Sequence, residues 1–265
     1  EGNAFGYHGS VTGEVVFTTG MTGYPEALTD PSFAGQILVM TYPLIGNYGV
    51  PDKKEWESDK IQISGLIVST YNETPSHYSS VITLQDWLKS QKIPALEIRD
   101  TRFLTKKIRM NGALLAKIVH SVPISSRMLG KVGASSGQVN GKDIAFHDPN
   151  KDNLVAQVSQ KTVTREGRGN KTVVLIDCGT KRNIAKSLIK RNFRVITVPW
   201  NYDLSRLNEK FDALLISNGP GDPMMIPETV TQVKKCLKEK KPILGICLGN
   251  QVLALAAGGK TRKLK

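Results

Sequence analysis

The chain has 265 residues, 40% of them hydrophobic, and a formal net charge of +13, enough material for two ordinary domains with separate cores. Its three cysteines, Cys178, Cys236 and Cys247, form no CxxC pair, which argues against a disulfide framework or zinc site and for a reducing compartment. No apolar run reaches the roughly 18 residues of a membrane span, residues 1 to 10 lack a signal-peptide pattern, and the scattered lysines and arginines form no aromatic-interleaved motif for nucleic acid.

The first half is dense in turn signals, such as Thr22-Gly23-Tyr24-Pro25, Asp30-Pro31 and Ile45-Gly46-Asn47, set between short apolar runs. Glu14 to Phe17, Gln36 to Met40 and Ile61 to Val68 are rich in β-branched residues and predict strands. Leu84 to Ser90 and Phe103 to Met110 have helical spacing, with Thr83 and Thr101 as expected N-caps. This half reads as mixed α and β. Residues 150 to 171 turn polar, and Glu166 to Lys171 has the composition of a linker or an exposed loop, so the domains are expected at 1–165 and 166–265.

Beyond 171 the pattern becomes regular. Val173 to Ile176, Arg194 to Val198, Asp212 to Ser217 and Pro242 to Ile246 predict buried strands; Asn183 to Lys190, Pro227 to Lys238 and Gly249 to Ala257 predict the helices between and after them. Such alternation predicts an α/β fold with a doubly wound parallel sheet, whose ligands bind at the carboxyl ends of the strands.

Two motifs fall on that rim. Cys247 directly follows one strand and precedes a helix, with Gly245 and Gly249 on either side. This is the arrangement of a nucleophile elbow with sulfur as the attacking atom. A thiol there meets the positive end of the helix dipole, which favours the thiolate, and the turn can aim the Leu248 N–H and that of a nearby glycine at an oxyanion. The second motif, Ser217-Asn218-Gly219-Pro220-Gly221-Asp222-Pro223, offers glycines that let backbone approach a ligand closely.

Taken together, Asn218 to Pro223 and Gly245 to Gln251 resemble the triad-type class I glutamine amidotransferases. Gly13 to Phe17, Met21 to Glu26, Leu28 to Ser32, Tyr42 to Gly49, Asp100-Thr101-Arg102 and Asp177 to Asn183 resemble the carbamoyl-phosphate synthetase small subunit, whose N-terminal mixed α/β domain is specific to it. The resemblance implies that Cys247 forms a glutamyl thioester and releases ammonia. It implies further that Ser32, Gly219, Gly221, Leu248 and Gln251 bind glutamine in a pocket between the domains, and that Lys181 lies near it.

The same resemblance implies no cofactor or metal in this region, with ATP and Mg used by a carbamoyl-phosphate synthetase (ATP-grasp) partner, a large subunit or a fused domain. No phosphate-cradling Gly-x-x-x-x-Gly-Lys motif occurs here. The pyrimidine or arginine/urea route and a cytoplasmic location, or else the mitochondrial matrix, follow from it as expectations.

Two departures stand out. Asn250 replaces the histidine found in most glutamine-using members, and the general-base histidine with its carboxylate partner is expected beyond Lys265, so that the amidotransferase domain would be C-terminally truncated and inactive by itself. The four histidines, His8, His77, His120 and His147, are not recruited. The competing reading is a non-catalytic structural or regulatory region of an ammonia-dependent synthetase.

Overall fold

The computed structural model describes residues 1–120 and 144–262. In chain order its strands and helices are β1 (Asn3–Ala4), β2 (Val11–Thr18), α1 (Tyr24–Thr29), β3 (Gln36–Met40), β4 (Leu44–Ile45), β5 (Gly65–Val68), β6 (Thr70–Tyr71), α2 (Leu84–Ser90), β7 (Ala95–Glu97), α3 (Thr101–Asn111) and β8 (Leu114–Ile118), followed by α4 (Leu154–Val158), β9 (Thr164–Glu166), β10 (Lys171–Asp177), α5 (Arg182–Lys190), β11 (Phe193–Pro199), β12 (Ala213–Ile216), α6 (Pro227–Lys238), β13 (Ile243–Gly245) and α7 (Leu248–Ala256). They divide into two compact units. The first comprises residues 1–22, 36–50 and 64–148, the second 23–35, 51–63 and 149–265.

The first unit is built on a sheet of order β1-β7-β5-β3-β2-β8. Its interior pairs β2/β3, β3/β5 and β5/β7 are parallel, and antiparallel β1 and β8 close its edges. Val15, Ile37, Val39 and Ile67 pack with Ile108 of α3 and Ile118 of β8. Helix α2 starts where expected, with the Thr83 hydroxyl accepting the Asp86 N–H. Helix α3 starts one residue differently: the Asp100 carboxylate, 2.7 Å from the Phe103 nitrogen, is the cap, and Thr101 is the first helical residue and buried. An ionised acceptor at a helix N-terminus outcompetes a hydroxyl, because it also meets the helix dipole.

The strand expected over 61–68 is only its second half. Ile61 and Ile63 are buried in an irregular stretch of the second unit, and Gly65 begins β5 in the first.

The second unit carries a sheet of order β13-β12-β10-β11-β9, parallel except for the short edge strand β9. Alternate residues of its strands serve opposite faces. Val174, Ile176, Ile196, Val198, Leu214 and Ile216 pack against Val233 and Cys236 of α6 and Val252 and Ala256 of α7. Val173, Leu175, Val195 and Leu215 pack on the other side against Ile184, Leu188 and Ile189 of α5. Helices therefore cover both faces, as the alternating pattern requires.

Of the two readings of 166–171, linker or exposed loop, the structure shows the exposed loop, in the form of a tight connection. Glu166 ends β9, Lys171 opens β10, and Gly167 has φ 75°. A Cβ on Gly167 would collide with the Phe193 carbonyl, and one on Gly169 would lie 2.8 Å from the Phe193 Cα. The glycines are there for close backbone approach, which composition alone does not separate from flexibility.

Segments 23–35 and 51–63 belong to the second unit through specific bonds. The Arg182 guanidinium pairs with Asp59 at 3.0 Å and donates to the carbonyls of Lys53 and Trp56, both at 3.1 Å. The Glu57 carbonyl accepts the Arg182 N–H, and the Glu57 carboxylate accepts the Asn183 N–H. The first turn of α5 is thereby capped by a chain segment more than a hundred residues away.

Candidate active site

Cys247 is the residue between β13 and α7, with φ 53° and ψ −109°. A non-glycine residue in this region is strained, at a cost of order 1–3 kcal/mol, and persists only where its surroundings over-determine it. Those surroundings are the end of β12. The Ile246 N–H donates to the Ile216 carbonyl at 3.0 Å, and the Gly249 N–H lies 3.1 Å from the Ser217 carbonyl and 2.9 Å from that of Ile246. The flanking glycines permit this: a Cβ on Gly245 would lie 2.6 Å from the Asn250 nitrogen, and one on Gly249 would collide with the Ile216 carbonyl. At Gly249 the turn is pressed onto the neighbouring strand and at Gly245 onto the first turn of α7, and the cysteine between them is exposed.

Exposure separates the three thiols. Cys247 is exposed, whereas Cys178 and Cys236 are buried. Burial pushes the Cys178 thiol far above its usual range, and Asp177 adds to this; burial also raises Cys236, helped by Glu239. A thiolate is the reactive form. In the folded protein, iodoacetamide is therefore expected to alkylate Cys247 at least about a hundredfold faster than either other cysteine. Peptide mapping after a short exposure checks this, and equal labelling of Cys178 or Cys236 would contradict it.

The Asn218 to Pro223 loop leaves β12 on the same rim. Ser217, fully buried, anchors it: its hydroxyl accepts the Cys178 N–H at 2.9 Å and donates to the Asn218 carbonyl at 2.7 Å. Gly219 packs so closely that a Cβ there would lie 2.9 Å from Leu248 Cδ2 and collide with the Cys178 carbonyl. Leu248 buries its side chain in the sheet core, so what it offers a ligand is its backbone. Neither the Leu248 nor the Gly219 N–H has a hydrogen-bond acceptor among the described residues. The Leu248 N–H directly follows the exposed thiol in the chain, and Gly219 is packed against Leu248; free backbone donors are what an oxyanion site needs. Gly221 has φ 79°, and the atoms nearest its missing Cβ belong to Leu154, at 3.6 Å. Gln251 lies exposed in the first turn of α7, and its N–H is 3.3 Å from the Cys247 carbonyl.

Ser32 and Lys181, expected from distant parts of the sequence, are brought together. Asn218 Nδ2 donates to Ser32 Oγ at 2.8 Å, the Lys181 N–H donates to Asn218 Oδ1 at 3.1 Å, and Lys181 Nζ lies 2.8 Å from Asp30 Oδ2. Ser32 thus shares a compact unit with Cys247; residues 23–35 are folded into that unit by α1 and the turn Pro31–Phe33, with Tyr24, Leu28 and Pro31 buried. The Asp177 carboxylate shapes the intervening loop by accepting the N–H groups of Gly179 and Thr180, at 2.9 and 2.7 Å.

Asp30, Ser217 and Asn218 are not among the expected site residues. Ser217 and Asn218 open the Ser217 to Pro223 motif and Asp30 stands in the Leu28 to Ser32 stretch, each a polar residue with no local sign of a partner. Among the described residues no cluster of three or more His, Cys, Asp or Glu side chains could hold a metal ion, and no helix is long and apolar enough to cross a membrane.

Residues 1–118 match the family model described as carbamoyl-phosphate synthase small chain, CPSase domain, and residues 174–265 match glutamine amidotransferase class-I. Over its whole length the chain is 47% identical to "Multifunctional protein CAD" of Squalus acanthias, of which it covers 12%. It is 44% identical to "Carbamoyl-phosphate synthase [ammonia], mitochondrial" of Aquarana catesbeiana, covering 17%. It is 43% identical to "Carbamoyl phosphate synthase arginine-specific small chain" of Neurospora crassa, covering 58%. The chain thus spans between about an eighth and three-fifths of the length of these relatives. Fold, elbow and family matches together identify it as a carbamoyl-phosphate synthase small-chain CPSase domain followed by a class-I glutamine amidotransferase domain.

Proposed function

We propose that this chain is the glutamine-hydrolysing component of a carbamoyl-phosphate synthase. The observation that carries the reading is Cys247, an exposed thiol held at φ 53° on a strand-to-helix turn, followed directly by Leu248, whose N–H has no acceptor among the described residues. In the proposed reaction the Cys247 sulfur attacks the side-chain amide carbon of glutamine, and the N–H groups of Leu248 and Gly219 take the developing oxyanion. Collapse of the tetrahedral intermediate expels ammonia and leaves a glutamyl thioester, which water hydrolyses to glutamate. Ser32, Gly219, Gly221, Leu248 and Gln251, with Lys181, hold the substrate. Ammonia then passes to an ATP-grasp synthetase, where bicarbonate and ATP with Mg yield carbamoyl phosphate. This chain's own region needs no cofactor for its step.

No histidine lies in the compact unit that holds Cys247. A positioned base contributes about 10²- to 10⁴-fold in such reactions. The 265-residue chain alone is therefore expected to turn glutamine over slower by a factor of that order than an amidotransferase equipped with an imidazole.

The test compares nitrogen donors. Assayed with its synthetase, the protein should make carbamoyl phosphate from glutamine at least as well as from ammonium at equal concentration. A second reading, a non-catalytic region of an ammonia-using synthase, draws on Asn250 in the first turn of α7 and on the name of the Aquarana catesbeiana relative. Under it only ammonium would serve as donor, and that result would overturn the glutaminase reading.

A further inference from the structure

Asp30 is the hub of the polar cluster that joins the expected glutamine contacts, and its carboxylate is only 5% exposed whereas the Lys181 side chain it pairs with is 42% exposed. One carboxylate oxygen, Oδ2, meets Lys181 Nζ at 2.8 Å. The other, Oδ1, accepts the Ser32 N–H at 2.9 Å and Asn218 Nδ2 at 3.3 Å. Asn218 completes the circuit through Ser32 Oγ and the Lys181 N–H. Three chain segments, the Asp30 turn, the Lys181 loop and the Asn218 loop, thus meet at one buried anion.

The chemistry of this circuit fixes what it shows to a ligand. Both Asn218 Nδ2 protons are engaged, by Asp30 and by Ser32, so the amide has only one workable orientation. Ser32 Oγ accepts from that amide, which leaves its own proton without an acceptor among the described residues. Lys181 has two further ammonium protons on a partly exposed head. A hydroxyl donor and an ammonium held side by side suit a carboxylate. Without Asp30, the lysine would keep its full rotamer freedom and Ser32 would lose the N-cap that sets its turn.

We infer that Asp30 is a positioning residue that presets Lys181, Ser32 and Asn218 to receive the α-carboxylate of the amino-acid substrate. This rests on the proposed reading of the site as a glutamine site. Asp30 touches neither the reacting amide nor Cys247; it acts through the three residues it holds. Its loss accordingly weakens capture of an amino-acid-shaped ligand and leaves the intrinsic reactivity of the thiol alone.

The experiment uses the 265-residue chain and two electrophiles, a diazoketone analogue of L-glutamine and iodoacetamide, with alkylation of Cys247 followed by mass spectrometry. For the parent protein the rate with the analogue should saturate. Asp30→Ala should raise the half-saturating concentration by roughly ten- to a hundredfold, the range for loss of a buried charge-assisted contact. Asp30→Asn, isosteric and neutral, should raise it by about tenfold on the same grounds and decides the matter where the alanine variant does not fold. In both, the limiting rate at saturation and the iodoacetamide rate should stay at the parent value. An unchanged half-saturating concentration would overturn the inference and leave the glutamine site intact. Equal falls in both electrophile rates with Asp30→Asn would make Asp30 merely structural and overturn it too. Failure of the parent to saturate would overturn the glutamine reading itself, and the inference with it.

Discussion

Cys247→Ser is expected to lower glutamine-dependent carbamoyl phosphate formation by about a thousandfold or more, the scale on which removal of a nucleophile acts. The ammonium-dependent rate should be unchanged. The expectation follows from the position of the residue more than from its identity. A hydroxyl fits the space, so the strained turn and its donors stay in place, and what disappears is the polarisable sulfur nucleophile. Parallel rate measurements with the two nitrogen donors check this. A selective loss of the glutamine rate separates a chemical role for Cys247 from a folding role, because a misfolded variant would lose both. Retention of the glutamine rate would mean that another group attacks the amide.

Gly249→Ala should be strongly disruptive although it adds only one carbon to a helix. In an ordinary helix, glycine to alanine stabilises by up to about 1 kcal/mol. Here the new methyl would collide with the Ile216 carbonyl, and would lie 2.7 Å from the Ile216 carbonyl carbon and 2.9 Å from its Cβ. Those atoms end a central strand and belong to a fully buried residue, so neither side can yield cheaply. Overpacking of this kind costs about 1–3 kcal/mol, and more where backbone has to move. A drop in melting temperature of about 5–10 °C is expected, since each kcal/mol corresponds to a few degrees at this size. Lifting α7 off β12 would also displace Leu248 and the Cys247 turn, so alkylation of Cys247 by the glutamine analogue should fall with stability. Gly258→Ala is the control: its φ is 91°, but nothing lies within 4 Å of the new carbon, so it should cost only about 1 kcal/mol of backbone strain. Equal melting temperatures for the two variants would show that α7 is not seated on the Ile216 carbonyl.

Much of this architecture is legible in the amino-acid sequence because its causes are local. The Gly245-Ile246-Cys247-Leu248-Gly249 run announces a turn pressed against its neighbour, and the structure shows both glycines in van der Waals conflict with any added carbon. The apolar runs of β10 to β12 and the intervening helical spacing are short-range periodicities, so the parallel sheet and its two helical faces could be read directly. What stayed hidden depends on pairing across long stretches of chain. Asp30 and Lys181 are 151 positions apart, and nothing near either residue marks the other as its partner. Arg182 similarly reaches back to Asp59. The cap of α3 was missed by one residue because Asp100 and Thr101 are both able caps; burial of Thr101 decides between them. Glu166 to Lys171 leaves linker and exposed loop open for another reason. Glycine allows flexibility and also close approach, and only the neighbouring Asn192 and Phe193 backbone shows which use applies.

The site reads as a division of labour within one compact unit. The β13 to α7 turn supplies the sulfur, the backbone of Leu248 and Gly219 supplies donors, and the Asp30 circuit arranges Ser32 and Lys181. The central claim is that Cys247 is the atom that meets glutamine. Its most direct test is to treat the folded chain with a diazoketone analogue of L-glutamine and map the adduct by peptide mass spectrometry, with and without excess L-glutamine. The account predicts a single adduct on Cys247 whose formation L-glutamine suppresses. Adduct on Cys178 or Cys236 at a comparable level, or labelling of Cys247 that glutamine leaves untouched, would contradict it.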